Sequence, residues 1–513
     1  MSWIKRVRGW FRRDRDSEPK GKRLYAGAKH DRRTDGWIAT GSGANAELAT
    51  SLVKLRKRSR QQKRDNSYAR NMFAQLASYM SGIMPRSAIQ IPPDVSDAER
   101  KRLEGLNRQI DDRFKAWSKE CNARGRGNFR GLQFQAVMGM LESGETFTRK
   151  RIRRLSDGLA VPLQIELLEA DYCDHTKDED LKSGGWIVQG IEHDPIGRVS
   201  AYHMFRVHPH ESTLLGSARL LSPTETVAVP ADSVAHLYPM ILVRPGQARG
   251  EPWLHANLIN LNDFAGYLDA ERVRLRAAAS VMGAVRTVDQ FTFEDEDPMN
   301  SVGINPIRDS KGCVIERIAP GEIAYLQEGQ DITWNSPPKG DGFKDYVNTD
   351  LHGQAAGALM PYEMYTGDLS ETNYSSIMFG MGGFKRLASR FLSDVVVALW
   401  GDPVWSWFIE AGKAAGVLPS EAGPVLWVPE PFPIIDPVRE GRGNLIAVRA
   451  GAKTLQRWII ETGEDPEEIL REHEAIVDWA SRNGIALDGI PTTSTLAGQA
   501  QEDFSVDSTS GNN

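Results

Sequence analysis

The chain has little cysteine and no long apolar run. Only three cysteines occur in 513 residues, at Cys121, Cys173 and Cys313, and none forms a Cys-x-x-Cys pair. This excludes a disulfide framework and a thiolate zinc site within one chain. No apolar run approaches the roughly 18 residues that a membrane span needs. Residues 1–13 are interrupted by charges and lack the apolar stretch of a secretory signal. We therefore expect ordinary thiols in a reducing cytoplasm and no membrane partner.

Several motifs that define common enzymes are also missing. There is no phosphate-cradling Gly-x-x-x-x-Gly-Lys-Ser/Thr loop, no Gly-x-Ser-x-Gly elbow and no His-Glu-x-x-His pair. We therefore predict no catalytic residue, no cofactor and no metal. The best metal candidates are His193, Asp194, His203, His208 and His210, whose side chains are of the types that ligate zinc or manganese. We favour ordinary polar or turn roles for them.

The charge that is present is unevenly distributed. Residues 1–70 hold 20 Lys and Arg against 7 Asp and Glu, whereas the whole chain has a net charge of −5. The protein is therefore a basic arm on an acidic body. Apolar residues near the start (Trp3, Ile4, Val7, Trp10, Phe11) fit one side of a short amphipathic helix. That helix could dock on a protein, lie on a membrane surface or be a solvated arm. A second basic run contains Lys54, Arg56, Lys57, Arg58, Arg60, Lys63 and Arg64, and it could contact phosphate or form a solvated helix face.

Periodicity predicts an α+β protein. Residues 45–83 and 96–121 are mostly helix-forming, and residues 145–238 contain short β-rich runs between turns. Pro252-Trp253 opens a long helix with a seam at Leu254, Leu258, Leu261 and Leu268. A shorter helix from about Gly342 repeats Phe343, Val347 and Leu351 at steps of four. Such seams pack against a neighbouring helix. Further helices are predicted from 374 to 400 and from 438 to 484.

Specific segments resemble a known family. They are Tyr25-Ala-Gly-Ala-Lys29, Arg32-Arg-Thr-Asp-Gly-Trp37, Ala44-Asn-Ala-Glu47, Leu141-Glu-Ser-Gly-Glu-Thr-Phe147, Leu168-Glu-Ala-Asp-Tyr-Cys-Asp174, Gly190-Ile-Glu-His-Asp194, Val229-Pro-Ala-Asp232, Arg244-Pro-Gly-Gln-Ala-Arg-Gly250, Met360-Pro-Tyr-Glu363, Thr366-Gly-Asp-Leu-Ser370 and Asn373-Tyr-Ser-Ser376. Their order over roughly residues 20–480 resembles that of the lambda-type portal proteins of tailed bacteriophages.

The resemblance implies a ring, usually of twelve subunits, at one vertex of the phage head. Double-stranded DNA would enter through its channel, driven by a separate terminase large subunit, and leave by the same route. Other implied partners are the major capsid and scaffold proteins and the head–tail adaptor proteins. The protein would reside in the virion after assembly in the host bacterial cytoplasm.

The resemblance also implies a domain map. Its parts are a basic arm (1–44), a wing (45–251), a first stem helix (252–288), a clip (289–338), a second stem helix (339–361), a tunnel loop (362–376), a wing helix and continuation (377–425), a crown (426–490) and a disordered tail (491–513).

Two sets of site residues follow from this map. The tunnel loop would place Thr366, Gly367, Asp368, Leu369, Ser370, Glu371, Thr372 and Asn373 at the DNA channel. Ser370 or Thr372 could instead simply cap the helix that follows. The seams would pack between subunits through Leu254, Leu258, Leu261, Leu268, Phe343, Val347 and Leu351.

Two other functions remain open from the sequence. The first is a metal-dependent nucleic-acid-processing enzyme, which requires a compact acidic metal cluster. The second is a peripheral membrane adaptor that uses the helix from Trp3 to Phe11.

Overall fold

The computed structural model is an α+β protein, as the sequence predicts. It describes residues 32, 35–36, 41–210, 225–280, 284–287, 307–308, 314–315, 330–333, 342–370, 374–433, 436–464 and 466–485. Most of the predicted arm, most of the clip, Glu371 to Asn373 and the tail lie outside these residues, so the expectations about them stay predictions.

Two consecutive helices follow the arm. They are α1 (Ala44–Asp65) and α2 (Ser67–Tyr79), and they lie in the stretch 45–83 that is predicted to be mostly helix-forming. The chain breaks at Asn66, which is extended and whose side chain accepts hydrogen bonds from the N–H groups of Tyr68 and Ala69. An Asn that satisfies the orphan N–H groups of a helix start favours a new helix at that point.

A short strand and two helices come next. They are β1 (Met84–Ser87), α3 (Asp97–Ser118) and α4 (Phe129–Ser143). The Ser96 hydroxyl caps α3 by accepting from Glu99 N–H at 3.3 Å. The Glu99 carboxylate pairs with Arg102.

The β-rich region forms two antiparallel sheets. Its strands are β2 (Thr146–Ile152), β3 (Leu163–Glu169), β4 (Glu179–Asp180), β5 (Trp186–Val188), β6 (Ile191–His193), β7 (Val199–Phe205), β8 (Thr226–Pro230) and β9 (Val234–Leu237). One sheet has the order β3-β2-β9 and the other β4-β5-β6-β7-β8. Phe147 pairs with Leu168 on one side and His236 on the other, which fixes the register of the first sheet.

The long helix predicted to open at Pro252-Trp253 begins later than expected. Residues Trp253–Ala256 form a 3-10 turn, and the helix α5 spans Leu258–Ser280. Two antiparallel strand pairs follow, made by β10 (Ala284–Thr287), β11 (Ile307–Arg308), β12 (Val314–Ile315) and β13 (Gln330–Thr333). The helix predicted as the second stem helix, α6, spans Phe343–Gly357.

The rest of the chain is mainly helical. It comprises α7 (Tyr362–Thr366), α8 (Tyr374–Phe391), a π-helical segment (Leu392–Gly401), α9 (Asp402–Ala414), β14 (Val425–Val428), α10 (Pro437–Arg449), α11 (Leu455–Glu461) and α12 (Pro466–Asn483). The predicted helix from 374 to 400 therefore continues to residue 414. Strand β14 returns to pair with β1, which ties the end of this region to the start of the wing.

One large core joins the wing to the helices that follow the tunnel loop. Phe114 contacts Phe129, Phe408 and Trp405 with ring centroids 5.1–5.6 Å apart, and Phe129 also contacts Trp400. Aromatic pairs of this kind add about 0.5–1.5 kcal/mol beyond the area that they bury. Segments almost 300 residues apart are thus held as one body.

Candidate channel and assembly surfaces

The start of α5 and the end of α6, which form one part of the predicted stem, pack inside the chain. Leu254, Leu258, Leu261 and Leu351 are all buried in the main core of the chain itself. Phe264, on the same face of α5, is buried against Tyr68 of α2. The expectation of inter-subunit packing is therefore corrected for these four leucines, because a side chain covered by its own chain offers no surface to a neighbour. An apolar seam shows that a helix face is covered but not by what.

Polar contacts fix the base of the stem. The Trp253 indole N–H donates to Ala358 O at 2.8 Å, and the Asn257 amide donates to Gln354 O at 2.7 Å. A Cβ atom at Gly357 would lie 2.0 Å from the Asn257 Oδ1 atom, so only glycine allows this approach. The two stem helices are therefore locked together near residues 257 and 357.

The end of α5 and the start of α6, which form the other part of the predicted stem, are more exposed. Phe343 and Val347 are half-buried, and Phe343 stacks on Tyr267 with ring centroids 6.0 Å apart. Leu268 is also half-buried. Apolar side chains on the outer faces include Ile259, Val273, Leu275 and Tyr346. Inter-subunit packing thus stays a prediction for Leu268, Phe343 and Val347.

The described part of the tunnel loop is a turn with an exposed tip. Gly367 ends α7 with φ of 76°, a left-handed conformation that favours glycine. Asp368 N–H donates to the Thr366 hydroxyl at 3.1 Å, and Ser370 N–H donates to Asp368 Oδ1 at 2.9 Å. Hydrogen bonds from Ser370 lower the pKa of the Asp368 carboxyl, which is therefore ionised at neutral pH. Gly367, Asp368, Leu369 and Ser370 are exposed, and Thr366 is half-buried.

A buried tyrosine, Tyr365, anchors this loop, although no sequence pattern singled it out. The Tyr365 hydroxyl donates to Gln354 Oε1 of α6 at 2.8 Å, and its ring stacks on Tyr68 at 5.9 Å. The Asn71 amide donates to the carbonyl oxygens of Met364 and Tyr365 at 2.8 and 2.9 Å. The loop is thus tied to both α6 and α2. The one feature of the sequence that could have indicated Tyr365 is its position directly before Thr366, where the segment that resembles the family begins.

The wing contains a buried charge network, which we call the Glu145 network and which consists of Arg56, Glu145, His236 and Arg249. Glu145 Oε1 accepts from Arg56 Nη2 and from Arg249 Nε, both at 2.8 Å. Glu145 Oε2 lies 2.9 Å from His236 Nε2. Arg249 also donates to Gln189 O at 2.7 Å and to Ala170 O at 3.1 Å. This network joins α1, both sheets and the segment before the stem.

Two glycines allow this network to close. Gly144 has φ of 89°, and a Cβ there would lie 2.5 Å from Gly250 O. A Cβ at Gly250 would in turn lie 2.0 Å from Gly144 O. Because the backbones of Gly144 and Gly250 touch, Glu145, which follows Gly144, can contact Arg249, which precedes Gly250. Most of the motifs quoted for the resemblance between residues 141 and 250 therefore converge at one structural joint.

Burial and ion pairing oppose each other at Glu145. Burial by itself raises the pKa of this carboxyl, but Arg249, His236 and Arg56 reverse that effect and hold the pKa well below its ordinary value. Burial lowers the pKa of His236, so its ring is neutral at neutral pH. The carboxylate is fully engaged by these partners, which suits a structural role.

The second basic run of the sequence is largely used within the chain. Arg56 belongs to the Glu145 network, Arg60 pairs with Asp171, and Lys63 pairs with Glu142 at 2.7 Å. Their spacing places all three on the side of α1 that faces Glu142, Glu145 and Asp171. Lys54, Lys57, Arg58 and Arg64 are exposed. The run is therefore neither a purely solvated face nor a wholly free phosphate-binding surface.

The five residues considered as metal ligands do not gather in one place, although the rings of His208 and His210 contact each other at 5.9 Å. His203 lies 3.0 Å from Glu192, and His193 stacks on Trp186. His208 instead approaches Glu169 and Asp171, the one group in the described ranges with ligand atoms close enough for a metal. Arg60 contacts both carboxylates. A guanidinium already neutralises these acids, so the group fits an ion-pair cluster better than a metal site.

No helix in the part of the chain that the structure describes combines the length and apolar character needed to cross a lipid bilayer.

Comparison with known proteins identifies the class. The sequence model described as "Phage portal protein, lambda family" matches residues 30–391, which include α5, α6 and the predicted tunnel loop. The chain belongs to the lambda family of phage portal proteins. A curated relative, the "Probable portal protein" of Halomonas phage phiHAP-1, is 24% identical over 487 residues, which cover 91% of this chain and 89% of the relative.

Solved structures with similarity to the chain are more distant. The neck of an empty GTA particle is 14% identical, with a TM-score of 0.47 and coverage of 82% of this chain and 94% of the other. The virion of a native gene transfer agent particle is 12% identical, with a TM-score of 0.45 and coverage of 83% and 95%. An HK97 family phage portal protein from Corynebacterium diphtheriae is 11% identical, with a TM-score of 0.26 and coverage of 68% and 86%.

Proposed function

We propose that twelve copies of this chain form a ring-shaped channel at one capsid vertex, through which double-stranded DNA is packaged and ejected. The observation that carries the proposal is the family match over residues 30–391. The exposed turn at Asp368–Ser370, anchored at the stem base through Tyr365, supports a loop that faces a channel. The domain map given above, from basic arm to crown, belongs to this proposal.

The charges of the loop suit a conduit. Asp368 is exposed and ionised, and a ring would repeat its carboxylate once per subunit. Phosphates that are repelled form no tight contacts and release few counterions, so the affinity for DNA stays low. A duplex can then slide in both directions. We propose that Thr366 to Asn373 contact DNA loosely and read no sequence, because no base-edge contact is needed for transport.

The proposed partners follow from the same role. The ring would dock the terminase large subunit during packaging and head–tail adaptor proteins afterwards, and it would sit among the major capsid and scaffold proteins. Assembly would occur in the host bacterial cytoplasm. The chain itself would perform no catalysis and need no cofactor.

Mass and shape test this proposal. Twelve chains of 57.0 kDa weigh about 680 kDa. Light scattering coupled to negative-stain imaging should find particles of this mass with a central hole. The control is the same measurement with the cognate scaffold protein added, since assembly of a ring can depend on it. A monomer or dimer that persists at high concentration, in varied salt and with scaffold, would contradict the proposal.

A further inference from the structure

Helix α10 carries an exposed stripe, the α10 stripe, made of Val438, Arg442, Ile446 and Arg449. These positions are separated by 4, 4 and 3 residues, so they follow one face of the helix. All four side chains are exposed, and Val438 and Ile446 are 62% and 67% exposed. Two aliphatic side chains and two cations thus alternate along a face that the chain leaves uncovered.

Helix α12 carries a second exposed stripe, the α12 stripe, made of Glu468, Glu472, Ala475 and Trp479. Its spacing of 4, 3 and 4 residues also follows one helix face. All four are exposed, including a tryptophan that is 56% exposed. Ala480, on another side of α12, is buried. The α12 stripe therefore lies on a different face of the helix from the buried Ala480.

Among the residues that the structure describes, the charged side chains of the two stripes have no ion-pair partner. Arg439 pairs with Asp436 and Arg482 pairs with Asp478, each within its own helical segment. In the described ranges, by contrast, the structure gives no ion pair to Arg442, Arg449, Glu468 or Glu472. Two unpaired cations on one stripe and two unpaired anions on the other make the stripes complementary in charge.

We propose that the α10 stripe of one subunit packs against the α12 stripe of the next subunit around the ring. The interface is heterologous, because two different surfaces meet, and repetition of such a contact closes a ring. Its apolar centre would be Val438, Ile446 and Trp479, and the arginines would pair with the glutamates. An arginine over the Trp479 ring would gain a cation–π contact as well. This inference rests on the proposed ring, and it assigns one of the surfaces that hold it together.

An alternative occupant exists within the same chain. Glu468 also lines a cleft between the wing and α12, together with Arg108, Lys115 and Arg130. If the α12 stripe closed onto this cleft, its glutamates would meet cations of their own protomer. The experiment must therefore separate contacts between chains from contacts within one chain.

Charge reversal in two different chains makes this distinction. Variant A, Arg442→Glu/Arg449→Glu, makes both stripes acidic, and variant B, Glu468→Arg/Glu472→Arg, makes both basic. By light scattering at micromolar concentration, we expect the ring fraction of each variant alone to fall by about tenfold or more. An equimolar mixture should restore the ring mass, with equal amounts of A and B by native mass spectrometry. Arg457→Glu/Lys413→Glu, two reversals of exposed residues off the stripes, should leave the ring unchanged.

The outcomes are separable. If wild-type rings form while A and B alone keep the wild-type ring fraction, the assigned interface is wrong and the ring stands. If A and B each lose the ring and their mixture does not regain it, contacts within one chain or with another protein explain the stripes. If the wild type forms no ring even with scaffold, the proposed function and this inference both fail. Circular dichroism and melting curves check that A and B are folded.

A crosslink tests proximity directly. In a Cys313→Ser background, chains with Ile446→Cys are mixed with chains with Trp479→Cys and mildly oxidised. The remaining native cysteines, Cys121 and Cys173, are buried. We expect covalent dimers from this pair and none when Arg457→Cys replaces Trp479→Cys. Rings without crosslinked dimers would overturn the assignment.

Discussion

At the scale of single residues, Glu145 shows how a buried acid can hold a domain together. Two buried guanidinium groups and one imidazole surround its carboxylate. A buried pair adds little net stability compared with an apolar contact, but removal of one partner strands the other and typically costs about 3–5 kcal/mol. The joint between α1, both sheets and the stem therefore depends on this carboxylate.

Glu145→Gln should lower the melting temperature strongly, because Arg56 and Arg249 would remain buried without their anion. The matched control is Glu179→Gln on β4, where the side chain is exposed, and it should change little. Differential scanning fluorimetry of both variants measures the effect. A Glu145→Gln protein that melts with the wild type would show that the arginines find other partners.

The same variant makes a pH prediction. The pKa of Glu145 lies below its ordinary value of 4.5 in the folded chain, so its stabilisation is present above pH 4.5 and is lost as pH falls. The difference in melting temperature between wild type and Glu145→Gln should therefore narrow below about pH 4.5. The pKa of His236 lies below 6.5 in the folded chain, so stability also declines as pH falls through 6.5. That second decline should persist in Glu145→Gln, since burial is its main cause. Melting curves from pH 8 to 3 test both.

The anchor of the tunnel loop makes a second residue-scale prediction. Tyr365→Phe removes the hydroxyl that donates to Gln354 and leaves a buried oxygen short of one donor, at a cost of about 1–3 kcal/mol. The loop should become more sensitive to limited proteolysis within residues 366–373. Tyr346→Phe, at an exposed tyrosine of α6, the helix that carries Gln354, is the control and should cleave like the wild type. Equal cleavage of the wild type and both variants would show that the Tyr365 hydroxyl does not anchor the loop.

At the scale of elements, the stem separates internal packing from external packing. Leu261 is fully buried in the core, whereas Ile259, two residues earlier on α5, is 71% exposed. Leu261→Ala should destabilise the protomer by about 2–5 kcal/mol because it leaves a cavity. Ile259→Ala should not change protomer stability. Chemical denaturation of the two variants compares them, and an equal loss of stability would contradict the assignment of the two faces.

The helices show what periodicity can and cannot predict. The apolar spacing of the stem helix and of the helix after the tunnel loop follows from the sequence, and both helices are present. The seam at Leu254, Leu258 and Leu261 indicated a covered face, but its cover is the same chain. Identification of that cover requires the topology that brings α1 and Tyr68 of α2 beside α5, and no local pattern encodes those contacts.

The Glu145 network shows a second limit of prediction from sequence. Glu145 and Arg249 are 104 residues apart in the chain, and each lies in a segment that resembles the family. Sequence could mark both segments, yet their contact depends on the close approach of Gly144 and Gly250. Likewise, the dense basic run of α1 could be noticed from composition, whereas the three acids that engage Arg56, Arg60 and Lys63 could not be picked from 68 Asp and Glu residues.

At the scale of the whole molecule, the acidic body determines how a ring should interact with DNA. Residues 71–513 hold 43 Lys and Arg against 61 Asp and Glu, so each subunit adds negative charge to the assembly. Near the proposed channel, the exposed and ionised Asp368 repeats with every subunit. Phosphate contacts make the affinity for a duplex depend on salt. The logarithm of the binding constant falls with the logarithm of the salt concentration, with a slope of about −0.9 per contact. The wild-type ring should therefore hold a short duplex weakly and with a shallow salt slope.

Asp368→Arg should convert this loop into a phosphate-binding ring. Replacement of each carboxylate by a cation at the channel should tighten duplex binding and steepen the salt slope by about one unit or more. Fluorescence anisotropy of a labelled 30-base-pair duplex across a salt series measures both quantities. The control is Glu179→Arg, which makes the same change of charge at an exposed position in the five-stranded sheet of the wing. An equal effect of both variants would mean that total charge governs binding, and no effect of Asp368→Arg would place the loop away from the DNA. A selective effect at residue 368 would locate the duplex at the tunnel loop, because only a cation close to the phosphates releases their counterions.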